Sequence, residues 1–178
     1  MEESCLYRSP IGILKITETS GKITSLYPHR KEDGSICDFS ANMNKQQLRT
    51  SEYSNGHSHE HKSTLLKEAC KQLDEYFQGR RKTFDLPTKY AGTLFQESVW
   101  RELQKIPYGE TRSYEDIAAK IGNPKAVRAV GQANNRNKLL LIVPCHRVIH
   151  KNGDISGFAC GIETKKYLLD LERFHFLK

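Results

Sequence analysis

The residue types best suited to chemistry lie together at positions 145–147, where a cysteine precedes a histidine and an arginine. A thiolate is a strong nucleophile, and nearby positive charge makes a thiol ionise more readily. Cys145 is therefore the best nucleophile candidate, and we expect His146 and Arg147 to lower its pKa. The alternative is that Cys145 ends a buried strand as a small apolar residue, the commoner role of a cysteine.

Two residues are candidates for activating this thiol. Successive side chains of an extended chain point to opposite faces, so His146 would reach Cys145 only through a turn or a bridging water. Glu172 could orient His146, giving the thiol, imidazole and carboxylate arrangement of an activated nucleophile. Spacing along the chain gives no distance, and a solvent-exposed glutamate on a helix is the commoner case.

Two short helices are indicated upstream of the cysteine. Ser113 has the pattern of a helix N-cap, and Gly122-Asn123-Pro124 ends that first helix. A second helix is expected to start at Pro124 and to run toward Asn134. On a basic chain, this arrangement predicts a helix-turn-helix.

The second of these helices combines small side chains with cations. Tight helix packing explains some of the small residues. Small side chains also let a helix approach a narrow DNA groove, which Arg128 is long enough to enter. The pattern supports both explanations equally. The small residues are Ala126, Ala129, Gly131 and Ala133, and the cations are Lys125 and Arg128.

The elements that must position these residues are of mixed type. Residues 6–26 predict a β-hairpin. An apolar stripe over residues 65–77 predicts a helix ending near Gly79. The apolar run 139–143 is too short for a typical helix, so a buried strand or extended segment is expected to deliver Cys145. Helical spacing predicts further helices over residues 93–106 and 163–174.

A polar segment separates the two parts of the chain. Residues 29–61 contain His57, His59 and His61 among serine, asparagine and glycine, which predicts a long loop. Alternating histidines in a polar loop are more typical of solvent-exposed side chains than of a metal site, so no function is assigned to them.

Charge and cysteine content limit the class of protein. The net charge of +7 favours an anionic partner, most commonly nucleic acid. The five cysteines include no C-x-x-C pair, which argues against a disulfide framework or a zinc ribbon and indicates a reducing compartment. We expect neither a membrane span nor export, because no apolar run reaches 18 residues and the acidic start lacks a secretory pattern.

Two segments resemble the O6-alkylguanine-DNA alkyltransferases, also called methylated-DNA–protein-cysteine methyltransferases. They read Val143-Pro144-Cys145-His146-Arg147-Val148-Ile149 and Gly122-Asn123-Pro124-Lys125-Ala126-Val127-Arg128-Ala129-Val130-Gly131. The resemblance is specific over residues 95–172 and looser before them. It implies a mixed α+β fold with a small ribonuclease-H-like α/β domain over residues 1–90. A helical domain over residues 91–178 would carry the helix-turn-helix.

The resemblance implies how the chain engages DNA. A damaged nucleotide is rotated out of the duplex, and the helix-turn-helix enters the minor groove. Arg128 would fill the gap left by the base, and Tyr114 would help rotate the nucleotide and protonate the guanine ring. The other residues expected at the DNA are Lys125, Ala126, Val127 and Ala129.

The resemblance also implies the chemistry. Cys145 would accept the alkyl group from O6 of guanine, and Asn137 would brace the turn before it. His146 and Glu172 would take the thiol proton through a water. The product is a thioether, so transfer is irreversible and each molecule acts once. Methyl on O6 of guanine is the expected substrate, with O4-methylthymine as a further candidate.

The substrate pocket is implied at Val148, Phe158, Ala159 and Cys160. Here the chain departs from the family, because residues 158–161 replace a loop that often reads Tyr-Ser-Gly-Gly, and Lys138 stands where many relatives have proline. The preference between methyl and bulkier groups is therefore left open.

No cofactor or metal is expected. Some relatives bind a structural zinc through two cysteines and two histidines, and Cys5 and His29 match two of those positions. Thr24 and Asp85 occupy the other two, so zinc is not predicted. The expected partner is double-stranded DNA containing alkylated guanine, bound by a monomer in the cytoplasm, or in the nucleus of a eukaryote.

Three other functions compete with this one. A non-catalytic lesion-binding relative would lack the acceptor, and Cys145 argues against it. A transcription regulator built on the helix-turn-helix would show sequence preference on undamaged DNA. A cysteine hydrolase would need an oxyanion hole that the sequence does not indicate.

Overall fold

The structure, a computed structural model, describes residues 1–29 and 63–176. Nearly all of the segment predicted as a polar loop, including His57, His59 and His61, lies outside the described residues. The described chain has a mixed α+β fold, as the sequence predicts, with a small sheet and one helix followed by a mainly helical part. None of the helices in these two ranges combines the length and apolar character that a bilayer span requires.

The N-terminal sheet has three antiparallel strands where the sequence predicts one hairpin. The reason is a second turn, since Gly12 at φ 100° and Gly21 at φ 74° both occupy the left-handed region that glycine tolerates. The residues before Gly12 therefore form a strand of their own. The strands are β1 (Glu2–Ser9), β2 (Gly12–Thr19) and β3 (Lys22–Pro28), in that order across the sheet.

A single helix, α1 (Thr64–Phe77), packs on β1 and β2. Ser63 caps it by accepting hydrogen bonds from the backbone N–H groups of Leu65 and Leu66. The predicted apolar stripe faces the sheet, and Tyr76 at its end is fully buried. The helix stops just before Gly79, whose φ is 72°.

The C-terminal part contains the predicted helix-turn-helix. Its first helix begins after Ser113, whose side chain accepts from the backbone N–H of Asp116 while the Asp116 carboxylate accepts from the Ser113 N–H. Its second helix begins later than predicted, because the Ala126 N–H donates to the Asn123 carbonyl and closes a turn (2.9 Å). The elements are α2 (Leu94–Leu103), β4 (Arg112–Ser113), α3 (Tyr114–Lys120), α4 (Val127–Asn135), β5 (Val148–Ile149) and α5 (Ile162–Phe176).

The apolar run 139–143 is buried as predicted, but it is not a regular extended strand. Leu141 has φ 69°, and the Val143 N–H donates to the Leu139 carbonyl (2.8 Å), so the run folds back on itself. Its first residues lie beside β3, where the Leu140 N–H donates to the Leu26 carbonyl (2.9 Å). This buried turn fixes the approach to Cys145 and joins the two parts of the molecule.

Candidate active site

Cys145 opens a single 3₁₀ turn, Cys145–Arg147, that follows the buried run. Its side chain is buried, and the Asn137 amide donates to Sγ (3.2 Å). The same amide donates to the Val143 carbonyl (2.9 Å), while its oxygen accepts from the Leu139 N–H (2.9 Å). Asn137 therefore holds both the turn and the thiol, the place that the family resemblance implies for it.

The expectation that basic neighbours ionise the Cys145 thiol is wrong. Burial raises its pKa to about 11, although the hydrogen bond from Asn137 and the charge of Lys165 oppose that rise. A thiol with this pKa is almost entirely neutral near pH 7. A nearby base is therefore needed before it can act as a nucleophile.

His146 and Glu172 form a buried dyad, so the solvent-exposed interpretation of Glu172 is wrong. The imidazole Nε2 lies 2.8 Å from Glu172 Oε1, and both side chains are buried. Burial alone would raise the pKa of Glu172, but the attraction and hydrogen bonds of His146 and Arg147 outweigh it and hold that pKa well below its usual value. An ionised carboxylate requires Nε2 to carry the proton that is shared with Oε1.

The free side of this imidazole is suited to act as a base. Burial lowers the pKa of His146 despite the opposing effect of Glu172, so the ring is neutral near pH 7. With the proton on Nε2, Nδ1 keeps its lone pair, and Nδ1 has no hydrogen-bond partner within the described chain. The dyad can therefore accept a proton at Nδ1 and stabilise the resulting charge through Glu172.

Sequence reasoning missed the role of Arg147. Its Nε donates to Glu172 Oε2 (2.8 Å), its Nη2 donates to Oε1 (2.9 Å), and its Nη1 donates to the Ile106 carbonyl (2.6 Å). The guanidinium is thus committed to a bidentate pair with Glu172, which explains why it does not ionise Cys145. No sequence signal separates an arginine aimed at the adjacent thiol from one aimed at a carboxylate 25 residues away.

Lys165 is the second residue that sequence reasoning missed. It lies on the buried side of α5, and its Nζ has no hydrogen-bond partner within the described residues. Nζ is 5.9 Å from the ring centres of both Tyr114 and Phe158. Burial lowers its pKa to about 8. The helical spacing Lys165, Leu168 and Glu172 places it on the inward face, a signal that was available in the sequence.

The residues predicted to line the substrate pocket lie in different environments. Tyr114 and the half-buried Phe158 meet around the Lys165 ammonium. Cys160 is half-buried and packs against the core, Ala159 is exposed, and Val148 is fully buried in β5. The membership of these last three residues in one pocket stays a prediction.

Five of the predicted DNA contacts lie in α4 or just before it, and they differ in exposure. Arg128 and Ala129 are exposed, as is Lys125 just before the helix, whereas Ala126 and Val127 are half-buried. The predicted contacts therefore include both exposed and half-buried residues. On the inner face Ala133 is 1% exposed, so the small residues serve both explanations, core packing on one side and an open surface on the other.

This helix also touches the thiol region from its inner face. Asn134 donates from Nδ2 to the Cys145 carbonyl (3.4 Å), and Gly131 lies close enough to Tyr114 that an added Cβ would sit 3.9 Å from the ring. The helix that carries the exposed Arg128 therefore also contacts the turn that carries Cys145.

The four positions considered for zinc do not form a cluster. Cys5 Sγ lies 4.0 Å from the Cys70 thiol, and Thr24 hydrogen-bonds to the Thr17 carbonyl. Over residues 1–29 and 63–176 there is no group of three or more histidine, cysteine or carboxylate side chains placed to hold a metal ion.

Comparison with protein families matches both parts of the chain. Residues 5–90 match the 6-O-methylguanine DNA methyltransferase, ribonuclease-like domain, and residues 94–174 match the DNA binding domain of the same name.

Individual relatives give the same result. The constitutive methylated-DNA–protein-cysteine methyltransferase of Bacillus subtilis is 46% identical over 170 residues, which are 94% of this chain and 93% of the relative. A methylated-DNA–protein-cysteine methyltransferase of Methanosarcina acetivorans is 58% identical over 108 residues, 61% of this chain and 69% of the relative. The crystal structure of Mycobacterium tuberculosis O6-methylguanine methyltransferase is 36% identical with a TM-score of 0.76, covering 98% of this chain and 94% of that one.

Proposed function

We propose that Cys145 is the alkyl acceptor of this chain, which belongs to the methylated-DNA–protein-cysteine methyltransferase family. The protein is a DNA-repair methyltransferase that acts by direct reversal, and its N-terminal part has the ribonuclease-like fold. The observation that carries the assignment to Cys145 is the geometry around it. A buried thiol held by Asn137 sits on the same turn as a neutral imidazole whose Nδ1 is free to accept a proton.

The proposed reaction moves one alkyl group and one proton. His146 Nδ1 takes the thiol proton through a water, and Glu172 stabilises the imidazolium. The thiolate attacks the alkyl carbon in line as the bond to guanine O6 breaks. Tyr114 supplies a proton to the guanine ring, and burial, which raises the pKa of this phenol, keeps it protonated beforehand. The proton held on His146 then passes through solvent to the Tyr114 phenolate, which restores both side chains. The net products are a thioether on Cys145 and neutral guanine, so each molecule reacts once.

The proposed substrate is double-stranded DNA containing O6-methylguanine, and O4-methylthymine is a further candidate. One solved relative, from Mycobacterium tuberculosis, is a crystal structure in complex with DNA; that chain is 35% identical with a TM-score of 0.73, and the match covers 98% of this chain and 93% of that one. In this chain the exposed Lys125 and Arg128 support a DNA-binding surface, with Ala126, Val127 and Ala129 between and beside them. No cofactor is proposed, because the lesion itself supplies the alkyl group.

Domain organisation and setting complete the proposal. We place the domain boundary near residue 90, supported by the family matches to residues 5–90 and 94–174. We propose a monomer that acts in the cytoplasm, or in the nucleus of a eukaryote. The free thiols of Cys5, Cys70 and Cys145 agree with such a reducing compartment.

The direct test is to weigh the protein after reaction with a duplex carrying one O6-methylguanine. We expect the mass to rise by one methylene unit in each molecule, and the modified peptide to contain Cys145. Cys145→Ala should bind the duplex and gain no mass. If wild type binds the lesion tightly and gains no mass, the non-catalytic lesion-binding function replaces this one.

Arg128 is expected to matter only where a base must leave a duplex. Since its side chain would occupy the gap in the stack, Arg128→Ala should slow methyl transfer from double-stranded DNA by about tenfold and leave transfer from a single strand almost unchanged. Single-turnover transfer to the two substrates measures this ratio.

A cation at the end of the same helix is the control for Arg128. Arg136→Ala removes an exposed positive charge just after α4. Because this substitution removes an attraction to phosphate, it should weaken the binding of both DNA substrates by the same factor. Equal effects of Arg128→Ala on duplex and single strand would mean that Arg128 contributes charge alone.

A further inference from the structure

We propose that Tyr76, which α1 of the N-terminal part supplies, is a positioning residue of the proton relay and acts on His146 through Glu172. The inference rests on the proposed function, in which His146 takes the thiol proton. In this proposal, the N-terminal part of the chain influences the reactivity of Cys145, which lies 69 positions after Tyr76.

The Tyr76 hydroxyl donates to Glu172 Oε1 at 2.7 Å, and both residues are buried. The phenol ring is held on several sides. Its centre lies 5.4 Å from those of Phe77 and Phe84 and 6.0 Å from that of Tyr108. Burial and the adjacent Glu172 raise the pKa of Tyr76 well above its usual value, so the hydroxyl remains a donor.

Tyr76 shares one carboxylate oxygen with the imidazole. Oε1 accepts from Tyr76, from His146 Nε2 and from Arg147 Nη2, whereas Oε2 accepts from Arg147 Nε and from the backbone N–H of Gly109 (3.1 Å). Donors that share an acceptor compete for its charge. The hydroxyl therefore weakens the hold of Oε1 on His146 and limits the stabilisation of an imidazolium.

The placement of Tyr76 relative to Glu172 is fixed by the end of α5. A Cβ on Gly79, just after α1, would collide with the His175 ring. A Cβ on Gly109 would lie 2.7 Å from Phe176 Cβ. Because these two positions carry no side chain, the last turn of α5 can lie against the end of α1 and against the 107–109 turn. This packing keeps the Tyr76 hydroxyl within hydrogen-bond distance of the Glu172 carboxylate.

The substitution Tyr76→Phe removes none of the other charged and titratable groups around the relay. Arg147 and Lys165 lower the pKa of His146, and Cys145 is its neighbour on the turn. Tyr108 faces Tyr76, with the Arg147 guanidinium 5.6 Å from its ring centre. Removal of the Tyr76 hydroxyl therefore acts on His146 through Glu172, whose charge becomes more available to Nε2–H.

The test follows the rate at which iodoacetamide alkylates Cys145 as a function of pH, with the Cys145 peptide quantified by mass spectrometry. Because His146 must be neutral to accept the thiol proton, the acid limb reports its protonation. We expect Tyr76→Phe to move the midpoint of that limb up by about half to one pH unit, without lowering the plateau. The same substitution made in Glu172→Gln should cause no shift.

The chain offers a matched control. Tyr7 is also buried in the N-terminal part, stacks on Phe77 and donates to a carboxylate, that of Asp74 (2.8 Å). Tyr7→Phe should leave the midpoint at the wild-type value. A structural role for Tyr76 would instead lower the plateau or the stability with no change of midpoint, which would overturn the proposal. A shift that persists in Glu172→Gln would overturn it as well.

A second variant keeps the test decisive if Tyr76→Phe does not fold. Replacing Tyr76 by 3,5-difluorotyrosine retains the ring and makes the hydroxyl a stronger donor, so the midpoint should move down; a rise or no change contradicts the proposal. The alkylation assay needs no DNA. Absence of methyl transfer by wild type would therefore defeat the proposed function alone, and a fixed midpoint would defeat the role of Tyr76 alone.

Discussion

Replacing His146 by alanine is expected to slow methyl transfer to Cys145 by roughly 10²- to 10⁴-fold near pH 7, the usual contribution of a general base. The reason is the buried thiol, whose pKa of about 11 leaves almost no thiolate at that pH without help. Single-turnover transfer from an O6-methylguanine duplex, with DNA affinity measured separately, gives the rate.

The pH dependence of Cys145 alkylation in His146→Ala also tests whether His146 is the base. With no base, reaction of Cys145 with iodoacetamide should rise about tenfold per pH unit up to the thiol pKa, since only spontaneous ionisation supplies thiolate. The alkylation rate of wild type should reach its plateau at a much lower pH. His29→Ala, which changes a histidine that follows β3, should behave as wild type. A His146→Ala variant with an unshifted plateau would show that the imidazole is not the base.

The parts of the molecule that the sequence predicted are those with local causes. The reciprocal cap at Ser113 fixes a helix start within four residues of chain, and the apolar stripe of α1 follows from helical periodicity alone. Residue chemistry alone made Cys145 the best nucleophile candidate and offered His146 and Glu172 as its partners, although a solvent-exposed Glu172 remained the commoner case. The family resemblance then favoured this set of three residues.

The parts that the sequence did not predict depend on long-range placement. The expected shift in the pKa of Cys145 has the wrong sign because burial outweighs adjacent charge. The turn that carries Cys145 packs against α2 and α5, which are distant from each other in sequence. By periodicity, Tyr76 is one more inward position of an amphipathic helix. The structure shows that its hydroxyl donates to Glu172, 96 residues away. An inward phenol and an inward apolar side chain have the same periodicity.

Arg147→Met is expected to lower the free energy of unfolding by about 3–5 kcal/mol at pH 7, the usual cost of removing one partner of a buried ion pair. Arg147 and Glu172 are 7% and 1% exposed, so the carboxylate left behind would be poorly solvated. Urea unfolding followed by circular dichroism measures the loss. Arg81→Met is the matched control, because Arg81 and Glu75 form an ion pair with one hydrogen bond (2.7 Å) in a partly exposed site. This substitution should lower the free energy of unfolding far less.

The pH dependence of that loss separates the contribution of the ion pair from that of the other hydrogen bond of Arg147. The pKa of Glu172 is held below its usual value near 4.5 in the folded protein, so the stabilisation it brings is present above that value and is lost as pH falls. Arg147→Met has less of this stabilisation to lose. The gap between wild type and the variant should therefore narrow as the pH is lowered from 7 to about 4. A gap that stays constant over this range would mean that the ion pair with Glu172 does not carry the contribution of Arg147 to stability, and that its hydrogen bond to the Ile106 carbonyl does.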